Sequence, residues 1–171
     1  MVTEKVNRQV SDVRRFIDRC KEDNAFLAAF KRADNPATEY QCWEYLAWMG
    51  IDLEKSWLRL PYTTVLAAVA RAKPDKDGHL DFGSAIARCY NDGNTNDQAK
   101  AKLRRVLACD SIEEICSVIR PLFSLIASKG SPISYGNILN DLVWFDNDPL
   151  HTKIKWAQGF FGKPRADEED I

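Results

Sequence analysis

Lys100, Lys102, Arg104 and Arg105 fall within six consecutive positions of the stretch AKAKLRRVL, residues 99–107. Cations at this density suit one task above others, the binding of phosphates on a polyanion. On a helix turning about 100° per residue, Ala99, Leu103, Val106 and Leu107 gather on one side. The four cations then cover the opposite side, with no acid among them. A solvated helix face ordinarily mixes signs and gains from i,i+4 Glu–Lys pairs, whereas Lys100 and Arg104 repel each other at that spacing unless an anion intervenes. Further basic positions stand at Arg14–Arg15, Lys31–Arg32, Arg59, Arg120, and Lys153 with Lys155.

Other chemistry finds little support. KPDKDGHLDFGS aligns with part of a calcium loop, placing Asp75 and Asp77 at ligand positions. Lys73 then occupies the first ligand position and Ser84 the place of the bidentate Glu, so the stretch reads as a turn. His79 and His151 lie far apart and in no zinc spacing, and read as surface residues. The chain contains no Walker loop, G-x-G-x-x-G or G-x-S-x-G pattern. Asp141, Asp146 and Asp148 cluster in sequence, but Asp148 fits a helix cap and nothing pairs the others with a base. The expectation is a protein without catalytic residues, metal or cofactor.

The elements that must carry the basic stretch are helical. Val10, Val13, Ile17 and Cys20 step by three or four, the period of an amphipathic helix. Asp23 caps a second helix that turns Phe26, Leu27 and Phe30 inward and ends near Lys31–Arg32. Asn35 with Pro36 predicts a third helix, stopped by Gly50, and Pro61 predicts the opening of a fourth, closed by Pro74. FGSAIARCY follows as a short helix, then the polar loop NDGNTN. Thr95 with Gln98 and Ser111 with Glu114 read as capping boxes. Pro121 predicts a kink or break in the helix that starts at Ser111, and Gly130 ends it. SYGNILNDLVWF and DPLHTKIKWAQGFF, the latter capped by Asp148, complete the series. The expected fold is all-α, with small helical bundles at 1–93 and 94–162 joined by the polar loop and an acidic, disordered tail at 163–171.

At 171 residues with 45% hydrophobic and 29% charged side chains, the chain has apolar material for a real core. Net charge is −1, unevenly placed: residues 1–95 balance, residues 96–165 hold ten bases and seven acids, and ADEEDI adds four acids. Five cysteines without a C-x-x-C predict reduced, buried thiols in a cytoplasmic protein. MVTEKVNRQV lacks the apolar segment of a signal peptide, and no stretch approaches the roughly 20 apolar residues of a membrane span. The five tryptophans could stack bases, but their helical spacing predicts that most fill the core.

An ordered series of segments resembles a known family. LDFGSAIARCY, KLRRVLACDSIEEICSVIRPLFSLIASKGSPISYGNILNDLVWF and IKWAQGFFG look like the small subunit of the type I-E CRISPR Cascade complex, the CasB family. AFLAAFKRAD, near the start, is similar to that family's early basic pair. The resemblance implies a non-catalytic, all-α protein of two helical bundles that associates head to tail beside the other Cascade subunits. It also implies contacts to phosphates of crRNA and target DNA that stabilise the R-loop. The matching basic positions are Lys31, Arg32, Lys102, Arg104, Arg105, Arg120, Lys153 and Lys155, while Lys100 and Arg59 rest on local charge. Family members tend to be Arg-rich and more plainly basic than this chain. Two other readings stay open: a helix-turn-helix regulator built on FGSAIARCY and AKAKLRRVL, and a helical adaptor that binds only protein.

Overall fold

A helix that is apolar on all sides must be surrounded, and residues 61–70 are such a stretch: every one is buried. In the computed structural model, which describes residues 7–162, they form the middle of α4 (Ser56–Ala72). Against it pack α1 (Arg8–Glu22), α2 (Asn24–Arg32), α7 (Ile112–Ser128) and α8 (Tyr135–Val143), with α3 (Trp43–Trp48), α5 (Phe82–Arg88), α6 (Asp97–Leu107) and α9 (Pro149–Phe161) completing the described helices. Two short 3-10 turns, Glu39–Cys42 and Gly93–Thr95, complete the described elements. The fold is all-α; the sole β feature among the described residues is an isolated bridge between Leu80 and Ile133. The acidic tail at 163–171 lies outside the described residues.

Caps set most of the helix starts. Asn7, Asp23, Asp81, Ser111, Ser134 and Asp148 each accept a backbone N–H of the following turn, which satisfies donors a helix start leaves open. Three expectations need correction. The segment after Asn35 does not enter a helix, because the Asn35 side chain accepts from Ala37 N at 3.0 Å and Thr38 Oγ1 donates to Arg32 O at 2.5 Å. These local bonds compete with helix formation, and α3 starts only at Trp43. Pro61 lies inside α4 rather than at its start. Asn96, not Thr95, caps α6, its side chain accepting from Ala99 N at 3.0 Å. At Pro121 the helix continues without a break.

Packing crosses the NDGNTN loop. α1 lies against α8, and α4 against α7 and α8, so residues from both halves share one hydrophobic cluster. Tyr62 Oη donates to the buried Asp12 carboxylate at 2.6 Å, tying α4 to α1. Asp77 accepts from Tyr135 N at 2.7 Å and Gly136 N at 3.0 Å and so fastens the turn before Leu80 to the start of α8. Burial raises its carboxyl above the usual range, and the three N–H donors around it pull the other way. α5 and α9 meet at backbone level, where a Cβ on Gly83 would overlap the Trp156 carbonyl.

Four of the five cysteines are buried, Cys20 is half-buried, and all are free thiols. Burial pushes the Cys42 and Cys116 thiols up to about 12 and Cys20 to about 11.

A shared core predicts one cooperative unfolding transition by calorimetry and circular dichroism; two separated transitions would instead fit bundles at 1–93 and 94–162 that melt independently. Gly83→Ala should force α5 from α9 and cost about 3 kcal/mol, read as a drop of roughly 6–12 °C in Tm.

Candidate nucleic-acid interface

α6 carries the basic stretch on the side it does not bury. Ala99, Leu103 and Val106 are buried, Leu107 half-buried, and Arg104 and Arg105 exposed, with Lys100 and Lys102 at intermediate exposure. Asp97 stands in the first turn and Arg104 and Arg105 in the last, each favourable to the helix dipole. Among the described residues, no ion pair or side-chain hydrogen bond engages any of the four cations. Lys102 and Arg105 line a groove of about 420 Å³ against α7, whose wall includes Pro121 and Leu125. Burial raises the Cys89 thiol above its usual range, and the charges of Lys129, just past the end of α7, and of Lys102 oppose that shift.

A second group of cations gathers where α2 and α4 end. Lys31 is held below the usual ammonium range, first by the neighbouring Lys73 ammonium and also by Arg71. Lys73 is the one non-glycine residue at positive φ (49°) among the described residues. Arg71 pairs with Asp34 at 3.1 Å, and Arg32 donates to Gln41 Oε1 at 3.1 Å. The sequence marks Lys73 only as part of a turn and leaves Arg71 unmarked, because the tertiary fold alone brings both beside Lys31.

Arg59, Arg120, Lys153 and Lys155 are engaged within the protein. Arg120 donates to Asp34 O at 2.8 Å and Thr64 Oγ1 at 3.5 Å, bridging α7 to the end of α2 and to α4. Arg59 donates to Leu53 O, stands 3.9 Å from Glu39 and lies over the Trp43 ring. Lys153 pairs with Asp110 at 2.9 Å. Lys155 reaches both oxygens of buried Asp141, at 2.9 and 3.1 Å, and Trp156 Nε1 donates to the same carboxylate. Burial raises the Asp141 carboxyl above its usual range, and Lys155 opposes that shift. The fold thus groups Lys100, Lys102, Arg104 and Arg105 on one side of α6 and gives Arg59, Arg120, Lys153 and Lys155 partners of their own.

The tryptophans depart from expectation. Trp156 is buried, whereas Trp43, Trp48, Trp57 and Trp144 are exposed, Trp48 by 88%. Trp43, Trp48 and Trp57 belong to α3 and the start of α4, where Glu39, Glu44, Asp52 and Glu54 outnumber Lys55 and Arg59. An acidic surround repels phosphates, which argues against base stacking there. Leu150, Ile154 and Phe161 form a second exposed apolar stripe, on α9.

Both histidines are exposed. Among the described residues no three His, Cys, Asp or Glu side chains converge to hold a metal ion, and no helix is long and apolar enough to cross a membrane. Arg120→Ala, which strands Asp34 O, should cost about 2 kcal/mol, read as a lowered urea midpoint. The triple alanine variant at Lys102, Arg104 and Arg105 should stay within about 0.5 kcal/mol of the parent.

The comparisons with known proteins agree with this architecture. The crystal structure of M. ruber CasB is similar over 92% of this chain and 94% of its own, with a TM-score of 0.71 at 21% identity, a likeness of fold. A comparison with curated proteins finds no match. The family model described as CRISPR-associated protein Cse2 matches residues 26–161, most of the described structure. On that match, the chain belongs to the Cse2 family of CRISPR-associated proteins.

Proposed function

We propose that this protein is a non-catalytic small subunit of a Cascade-type surveillance complex, and that α6 lays its basic side along a nucleic-acid backbone. The observation that carries the proposal is the set of four cations on one helix side that no acid of the described chain neutralises. Phosphates crossing that side would offset the repulsion between Lys100 and Arg104. Backbone contacts of this kind position a strand and carry no sequence information. Target choice would then rest with guide pairing, and this subunit would hold the R-loop formed by crRNA and target DNA.

Within that reading, Lys100, Lys102, Arg104 and Arg105 make the direct contacts. Lys31 and Arg32, beside Lys73, form a second contact point. Arg59, Arg120, Lys153 and Lys155 act through the packing they maintain, since each is held by a partner in the fold. The two exposed apolar faces, one on α3–α4 and one on α9, would meet other Cascade subunits, including a second copy placed head to tail. Exposed apolar surface of this kind marks protein contact sites.

The test is a gel-shift titration of the protein against unrelated single- and double-stranded DNA at two salt concentrations. Binding should ignore sequence and weaken with salt. The Lys102, Arg104 and Arg105 triple alanine variant should lose about 2 from the single-strand salt slope, the sum expected for three phosphate contacts. An unchanged slope would overturn the α6 assignment. A sequence-specific footprint would instead support a helix-turn-helix regulator, and salt-insensitive failure to bind DNA, with a protein partner retained, would support an adaptor.

A further inference from the structure

Next to the basic groove lies a larger cleft of about 840 Å³, walled on one side by α5 and the Gly93–Thr95 turn and on the other by α8 and α9. Its lining has a different chemistry from the groove. Four carboxamides face it, Asn91, Asn94, Asn137 and Gln158, together with Arg88. Asn94 donates to Phe161 O at 3.4 Å. Arg88 and the side-chain amides of Asn91, Asn137 and Gln158 make no hydrogen bond with another described residue, and all four residues are exposed.

The charged groups in the cleft are largely occupied. Asp81 accepts from Ser84 N and Oγ, Asp92 accepts from Asn96 Nδ2 at 2.9 Å, and Lys155 is held by Asp141. What remains is an amide-rich, weakly charged site within the size range of small-molecule pockets. Free carboxamides offer a donor and an acceptor side by side, the pattern that matches the edge of a nucleobase. A phosphate would find a better site on α6.

The two sites meet. Tyr90 lines the cleft and also the groove that holds Lys102 and Arg105. Aromatic rings beside cations are the arrangement on which single strands stack.

We propose that the cleft seats an unpaired nucleobase of a single strand whose phosphates run over α6, with Asn137, Gln158 and Arg88 on the base edge and Tyr90 at the turn between the two sites. The proposal rests on the phosphate-contacting role of α6 and adds to it a ligand class, single-stranded nucleic acid with accessible bases. A duplex, its bases stacked inside, would reach α6 alone.

The experiment compares the full-length protein's affinity for a short mixed-sequence single strand with its affinity for the same backbone built wholly of abasic units. The parent should bind the base-bearing strand about tenfold more tightly, the effect of roughly one stacked base. An Asn137→Ala/Gln158→Ala variant should bind both strands as the parent binds the abasic one, with its salt slope unchanged. The Lys102, Arg104 and Arg105 variant should weaken binding to both strands equally. A strand carrying 2-aminopurine should change fluorescence on binding the parent and not on binding the amide variant. Equal parent affinity for the two strands would overturn the base site and leave the phosphate contact standing. A base preference that survives the double substitution would also overturn it. Failure of the parent to bind either strand at low salt would overturn the phosphate reading and the base site with it.

Discussion

The burial of α4 is the constraint on which the rest of the structure depends. A helix with every residue from 61 to 70 out of water needs apolar neighbours on all sides, and α1, α2, α7 and α8 supply them. Elements from both halves of the chain must therefore converge on it. The polar links follow the same centre: Tyr62 of α4 reaches Asp12 of α1, and Thr64 of α4 receives Arg120 from α7. α6 is not among these neighbours. It needs one apolar side to stay attached and leaves the other to solvent, which is the condition for holding unneutralised charge.

The same residue types serve two purposes in this protein, and net charge conceals the difference. Arg59, Arg120 and Lys155 have partners that are carbonyls, carboxylates or a hydroxyl of the fold, and leaving those partners unpaired costs more than a surface charge returns. The α6 cations have none among the described residues. A chain of formal charge −1 thus presents a local surface of one sign, and association with a polyanion responds to that surface.

Much of this was legible in the sequence where local rules dominate. Asp23, Ser111 and Asp148 act as caps at the expected places, and α6 buries Ala99, Leu103 and Val106 as their spacing requires. Local rules failed where two of them competed: Asn35 with Pro36 predicts a helix start, but the Asn35 and Thr38 side chains bond the local backbone and form a turn instead. They also failed where position in space decides. Trp156 and Trp48 both sit at helical spacing, yet one is enclosed and the other exposed by 88%. Likewise Arg120 and Arg104 both match the family's basic positions, and the approach of Asp34 and Thr64 gives only the first of them partners within the fold. The cleft beside Tyr90 has no sequence signature because its carboxamides come from the loop after α5 and from α8 and α9.

The close contact of Gly83 with the Trp156 carbonyl has a mechanical meaning. A second interlock lies nearby, where Gly159 leaves room for the carboxylate of Asp81. Both join α5 to α9, the helices that form opposing walls of the polar cleft. Walls pinned at backbone level cannot swing apart as hinged jaws do. The cleft is therefore preorganised: a guest meets a shape already set, and little of its binding free energy is lost to ordering the host.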